Sequence, residues 1–137
     1  MNHQLNFVVK YIYKSLDIGI TLKTTLHSGG SSTICDAKID TGSEFRLFAR
    51  ELGELLDLEI ETGFEKKLIT LSGGLKAFGH YVELETLGLK FDSFVYFAQD
   101  YSLNRNLLGR QGWLQLIKFG LDDYASEIYI SPNQENF

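Results

Sequence analysis

The sequence predicts a mainly β protein: a closed, mainly antiparallel barrel with one or two short helices. Three observations lead there. Apolar runs of strand length recur along the chain and outnumber the stretches with helical spacing. Glycine, with 13 residues against a single proline, supplies most of the breaks between them. The spacing of runs and breaks is that of hairpins, which favours a barrel built from neighbouring strands.

In chain order, "NFVVKYIY" (6–13) reads as a first strand. "IGITLKTTL" (18–26) reads as a second, alternating at Ile18, Ile20 and Leu22. "HSGGSS" (27–32) is a turn, and "TICDAKI" (33–39) is the returning strand. In 43–60 the period changes: Phe45, Phe48, Leu52, Leu55 and Leu56 fall at helical spacing, with Ser43 placed to cap a helix and Glu44 near its positive end. "KKLITL" (66–71) and "KAFGHYVELETL" (76–87) flank the glycine tip "SGG" (72–74) of a hairpin. "LKFDSFVYFA" (89–98) is a further strand. "NLLGRQGWLQLI" (106–117) is an apolar strand that breaks at Gly109 into a short helix. "KFGL" (118–121) and "EIYI" (127–130) form a closing pair.

The chain of 137 residues is read as a single domain, 1–137, long enough to hold a core. A net charge of −5 without a lysine or arginine cluster argues against nucleic acid or an anionic membrane as partner. No signal peptide and no bilayer-spanning apolar run is recognised. Cys35 is the single cysteine, which rules out an intrachain disulfide and points to a reducing, cytoplasmic setting. Beside Ile34 it reads as a small core filler, a reactive thiol being the other reading. The three histidines have no metal-ligand spacing, so no metal or cofactor is expected.

One stretch carries chemistry. The run "AKIDTGSEF" (37–45) ends an apolar strand in Asp40, Thr41, Gly42 and Ser43. Later come "LSGGLKAFGH" (71–80) and "NLLGR" (106–110), in that order. Together these resemble a single-domain aspartic protease of the retropepsin type, over roughly residues 16 to 130. The resemblance implies a retropepsin-like barrel and an aspartic endopeptidase acting on a peptide or protein substrate. Asp40 would be the catalytic carboxylate. Thr41, Gly42 and Ser43 would support its loop, with the Thr41 hydroxyl bonding across to a partner loop. Gly73 and Gly74 would form a flap. Gly109 belongs to the second glycine motif, and Arg110 would pair with Glu44.

The chemistry can be stated without the family. Peptide hydrolysis by carboxylates needs one base to activate water and one acid to protonate the leaving nitrogen. Two carboxylates held close share one proton, which supplies both roles. The chain offers only one Asp-Thr-Gly; the nearest decoy, Glu61-Thr62-Gly63, reads as a solvated turn. Half a dyad per chain calls for a homodimer with two-fold symmetry, and the strand-like chain ends could interleave with those of the partner. Ser43 is expected to donate a hydrogen bond to the Asp40 carboxylate and hold the optimum acidic, on the order of pH 3–5. Trp113 is expected in the core or a dimer contact, and Tyr81 is a candidate substrate contact. The alternative reading is a binding or scaffold module on the same fold with little turnover.

Overall fold

Alternation sets the barrel wall. In strand β2 (Thr21–Ser28) Leu22, Thr24 and Leu26 are fully buried while Lys23 faces out. The Thr24 hydroxyl bonds to the Leu22 carbonyl, so its burial leaves no donor unpaired. β2 pairs along its length with β3 (Ser31–Ile39), which puts Cys35 and Ala37 against the core and Ile34 in solvent. This is a computed structural model, and it describes residues 1–15, 19–70 and 73–133.

The remaining elements are β1 (Val9–Ile12), β4 (Leu47–Phe48), α1 (Arg50–Leu55), β5 (Phe64–Thr70), β6 (Gly73–Thr86), β7 (Leu89–Ala98), β8 (Asn106–Leu108), β9 (Ile117–Asp122) and β10 (Glu127–Pro132). Single 3₁₀ turns occupy Ile60–Thr62 and Leu114–Leu116. Strand outweighs helix, 54% to 9%, as the turn-rich sequence predicts. The order β2-β3-β8-β4-β7-β6 closes on itself because β6 also pairs with β2, giving a six-stranded barrel with β5 hydrogen-bonded outside it to β6. Most pairings are antiparallel; β3–β8 and β4–β7 are parallel.

Trp113, Phe48, Phe97, Leu84 and Leu108 fill the interior, each fully buried and each contributing about 1.5–3 kcal/mol from burial. Trp113 is therefore a core residue, and its indole N–H donates to the Thr86 hydroxyl at 3.1 Å. A second, smaller cluster of Leu47, Leu68, Ala77 and Tyr96 lies on the other face of the β5–β6–β7 sheet.

Two expectations need correction. The helix placed at 43–60 is confined to Arg50–Leu55 and starts from Ala49, without a side-chain cap. Leu47 and Phe48 instead bridge β8 and β7 as strand β4, turning one side chain into each apolar cluster. The helix expected after Gly109 is only a 3₁₀ turn. Within the chain the two ends pair with each other: β1 lies on β10, which lies on β9, in a separate three-stranded sheet. Ile18 of the expected second strand and Ser72 of the hairpin tip lie outside the described residues.

Candidate active site

Asp40 is positioned by two neighbours at the end of β3. The Ile39 N–H donates to the Ile20 carbonyl at 2.8 Å, and the Asp40 N–H donates to the Leu108 carbonyl at 3.0 Å. The chain then turns tightly. Gly42 N–H donates to Asp40 Oδ1 at 3.0 Å, and Ser43 N–H donates to the Asp40 carbonyl at 3.1 Å. The Asp40 carboxylate is half-buried. Thr41 is exposed, and its hydroxyl has no partner among the described residues. Gly42 is also open: an added Cβ would meet only Asp40 Oδ1, at 3.4 Å.

Ser43 supports the loop differently from expectation. Its Oγ accepts the Phe45 N–H at 3.2 Å and donates to the Phe45 carbonyl at 3.0 Å. It neither caps a helix nor bonds to the Asp40 carboxylate, because this local turn occupies it. The next layer is the second glycine motif. Arg110 N–H donates to the Ser43 carbonyl at 2.9 Å and Gln111 N–H to the Glu44 carbonyl at 3.1 Å. Gly109 makes that approach possible, since a Cβ there would sit 2.4 Å from the Phe45 carbonyl oxygen and 2.6 Å from that of Ser43. Arg110 and Glu44 do pair, at 3.5 Å, but both are about half exposed, 55% and 51%. That exposure limits the pair to under about 1 kcal/mol.

Arg46 has a structural role that its sequence context, "FRLF", does not signal. It is buried, donates from Nη1 to the Gln111 carbonyl, and leaves Nε without a hydrogen-bond partner among the described residues. Burial pulls its ionisation down to about 10. Its guanidinium lies over Gly112, where φ is +76° and a Cβ would come within 2.3 Å of Cζ. The arginine thus fastens the 110–112 segment behind the Asp40 loop.

Asp40, Gly42 and Ser43 form one wall of a cleft of about 1000 Å³. Ile69, Gly73, Gly74 and Leu75 of the β5–β6 hairpin face them, which brings the expected flap glycines opposite the expected catalytic loop. Leu47 and Leu107 add apolar surface, and the segment after β7 adds Asp100, Ser102, Leu103, Asn104 and Arg105. The sequence alone assigns this last segment no role, since nothing in its local residue pattern places it in a cleft. The Asp100 carboxylate accepts both the side-chain and the backbone hydrogen bond of Ser102, which hold it below the usual carboxylate range. Tyr81 does not line the cleft: it is exposed on the outer face of β6, edge-on to Phe94. Cys35 is pushed up to about 12, chiefly by burial, as befits a packed thiol. Among the described residues no cluster of three His, Cys, Asp or Glu forms a metal-binding group, and no helix is long and apolar enough to cross a membrane.

No protein-family profile matches the chain. No curated protein sequence matches it either. Solved structures do. A retropepsin-like aspartic protease from Rickettsia conorii superposes with a TM-score of 0.65 at 17% identity, covering 90% of this chain and 99% of that one. EIAV protease, in complex with an inhibitor, superposes with a TM-score of 0.55 at 16% identity, covering 72% of this chain and 88% of that one. With these superpositions and its closed six-stranded barrel, the protein has a retropepsin-like fold.

Proposed function

We propose that the chain is an aspartic endopeptidase, active as a homodimer in which two Asp40 carboxylates share one catalytic water. The observation that carries this reading is the Asp40 loop at the wall of a peptide-sized cleft beneath a glycine hairpin. The dimer is supported by what the loop leaves open. Thr41 is exposed without a hydrogen bond among the described residues and Gly42 faces free space, so a two-fold copy of the loop has polar groups to meet and room to approach.

In that arrangement one carboxylate is ionised and takes a proton from water as the oxygen adds to the peptide carbonyl. The other holds the shared proton, hydrogen-bonds the carbonyl oxygen, and the leaving nitrogen is protonated as the C–N bond breaks. Such a pair works between its two apparent ionisations, which belong to the dyad jointly, so a bell-shaped rate profile is expected, and the Ser43 hydroxyl, spent on Phe45, does not help to set its position. The test is cleavage of a peptide library across pH 3–7, with and without a pepstatin-like inhibitor, alongside sedimentation at the assay concentration. Inhibitable acid cleavage by a dimer supports the reading. Activity from a strict monomer overturns the shared dyad, and inhibitor or peptide binding without turnover leaves the binding-module alternative.

A further inference from the structure

The charged groups of the cleft are not equivalent. Asp40 is committed to the chemistry proposed above. Asp100 is turned onto its own loop, with both the hydroxyl and the N–H of Ser102 on its carboxylate. Arg105 lines the same cleft, is exposed, and forms no ion pair or hydrogen bond among the described residues.

Its position is nevertheless fixed from both sides. On the N-terminal side the Asp100–Ser102 turn braces the segment. On the C-terminal side the very next residue, Asn106, is anchored twice: its Nδ2 donates to the Asp36 carbonyl at 3.1 Å and its Oδ1 accepts the Ala49 N–H at 2.8 Å. Leu103 and Leu107 flank it as apolar wall. A planar guanidinium on a braced backbone is suited to grip a carboxylate with two parallel hydrogen bonds.

We infer that the cleft selects peptides carrying a glutamate or aspartate near the scissile bond, read by Arg105. This rests on the peptidase reading and adds the substrate class. Leu47, Leu75, Leu103 and Leu107 supply the apolar surface for the central residues. Asp40 and Asp100 are the other charged groups among the described lining residues, and both carry the sign that disfavours a substrate carboxylate, which leaves Arg105 as the group to attract one.

The experiment uses ten-residue peptides with a central Leu-Phe bond, scanning Glu, Gln and Lys through the flanking positions, with kcat/KM measured at pH 5. At one position Glu is expected to exceed Gln by about three- to tenfold, the range between an exposed ion pair and a charged hydrogen bond. That ratio should fall toward one in Arg105→Met, survive in part in Arg105→Lys, and shrink in the wild type below pH of about 4.3, where glutamate protonates. A ratio unaffected by Arg105→Met, or a preference for Lys at every position, overturns the inference. If no peptide is cut, the peptidase reading fails separately. Binding of the labelled Glu and Gln peptides to the Asp40→Asn protein then decides the inference, and equal affinity overturns it.

Discussion

The chain contains two triplets of the form acid-Thr-Gly, and they are used in opposite ways. At Glu61-Thr62-Gly63 every group is occupied within the chain. Glu61 grips Arg50 at 2.6 Å, the Thr62 hydroxyl bonds to the Glu59 carbonyl at 2.7 Å, and Gly63 is pressed against the Gly79 carbonyl and His80. The turn reads as merely solvated in the sequence; in the structure it is exposed but ion-paired, closing the segment between α1 and β5. At Asp40-Thr41-Gly42, among the described residues, the carboxylate takes only a neighbouring N–H, the hydroxyl takes nothing, and the glycine has open space. A satisfied turn has finished its work inside one chain. An unsatisfied one, held rigidly at its base, is equipped to meet something else.

The contrast breaks first at the carboxylates. Asp40→Asn should lower kcat/KM by at least about 10²–10⁴-fold, the worth of general acid–base catalysis, while Glu61→Gln leaves peptide cleavage within a small factor of wild type. Comparable activity in the two variants, in preparations free of contaminating protease, would end the distinction. The glycines sharpen it in the reverse sense. Gly63→Ala places a Cβ 2.4 Å from the Gly79 carbonyl oxygen and should cost about 1–3 kcal/mol in chemical denaturation. Gly42→Ala has room and should stay within about 0.5 kcal/mol as a monomer. Its effect is expected in sedimentation, as weaker self-association.

Smaller effects follow from the ion pairs. Arg110→Ala should shift stability by under about 1 kcal/mol, because its partner Glu44 is exposed; a larger loss would mean that a second chain buries the pair. Glu61 is held below the usual carboxylate range by Arg50, so its contribution to stability is present above the ordinary glutamate value of about 4.3 and is lost as pH falls through the depressed folded value. The difference in thermal midpoint between wild type and Glu61→Gln should therefore be steady near neutrality and narrow in acid. A difference independent of pH would remove the carboxylate from the explanation. The least effect is expected from Ser43→Ala: with its hydroxyl spent on Phe45, the acid limb of the rate profile should not move.

Strand content and the Asp40 loop were legible because their signals are local. Alternation fixed β2, turn glycines fixed the hairpins, and "KIDTGSE" needed no distant partner to be noticed. The 43–60 segment was not legible. Phe45, Phe48 and Leu52 fit a helical stripe, yet Leu47 and Phe48 are claimed by the gap between β7 and β8, which closes the barrel. Tertiary hydrogen bonding overrode the period, and Leu55, assigned to the buried face, is 62% exposed. Arg46 and Arg105 were invisible for a related reason: a cationic residue announces neither its burial nor its place in a cleft until the chain is folded around it.

The β5–β6 hairpin can also be considered as a beam clamped at one end. β6 pairs with β5 from Gly73 to Gly79, but β7 supports it only from Ala77 onward. The length without β7 pairing is thus four residues on each strand, roughly 13 Å at strand rise, and within it Leu68 and Leu75 pack on the second apolar cluster. The clamp is marked by the Gln99 N–H bonded to the Lys76 carbonyl at 2.9 Å, one residue before the barrel takes over. Bending the overhang breaks no pairing of the barrel wall, but it must lift Leu68 and Leu75 off the apolar cluster of Leu47, Ala77 and Tyr96, so that packing, and not the sheet, sets the cost of moving the ribbon.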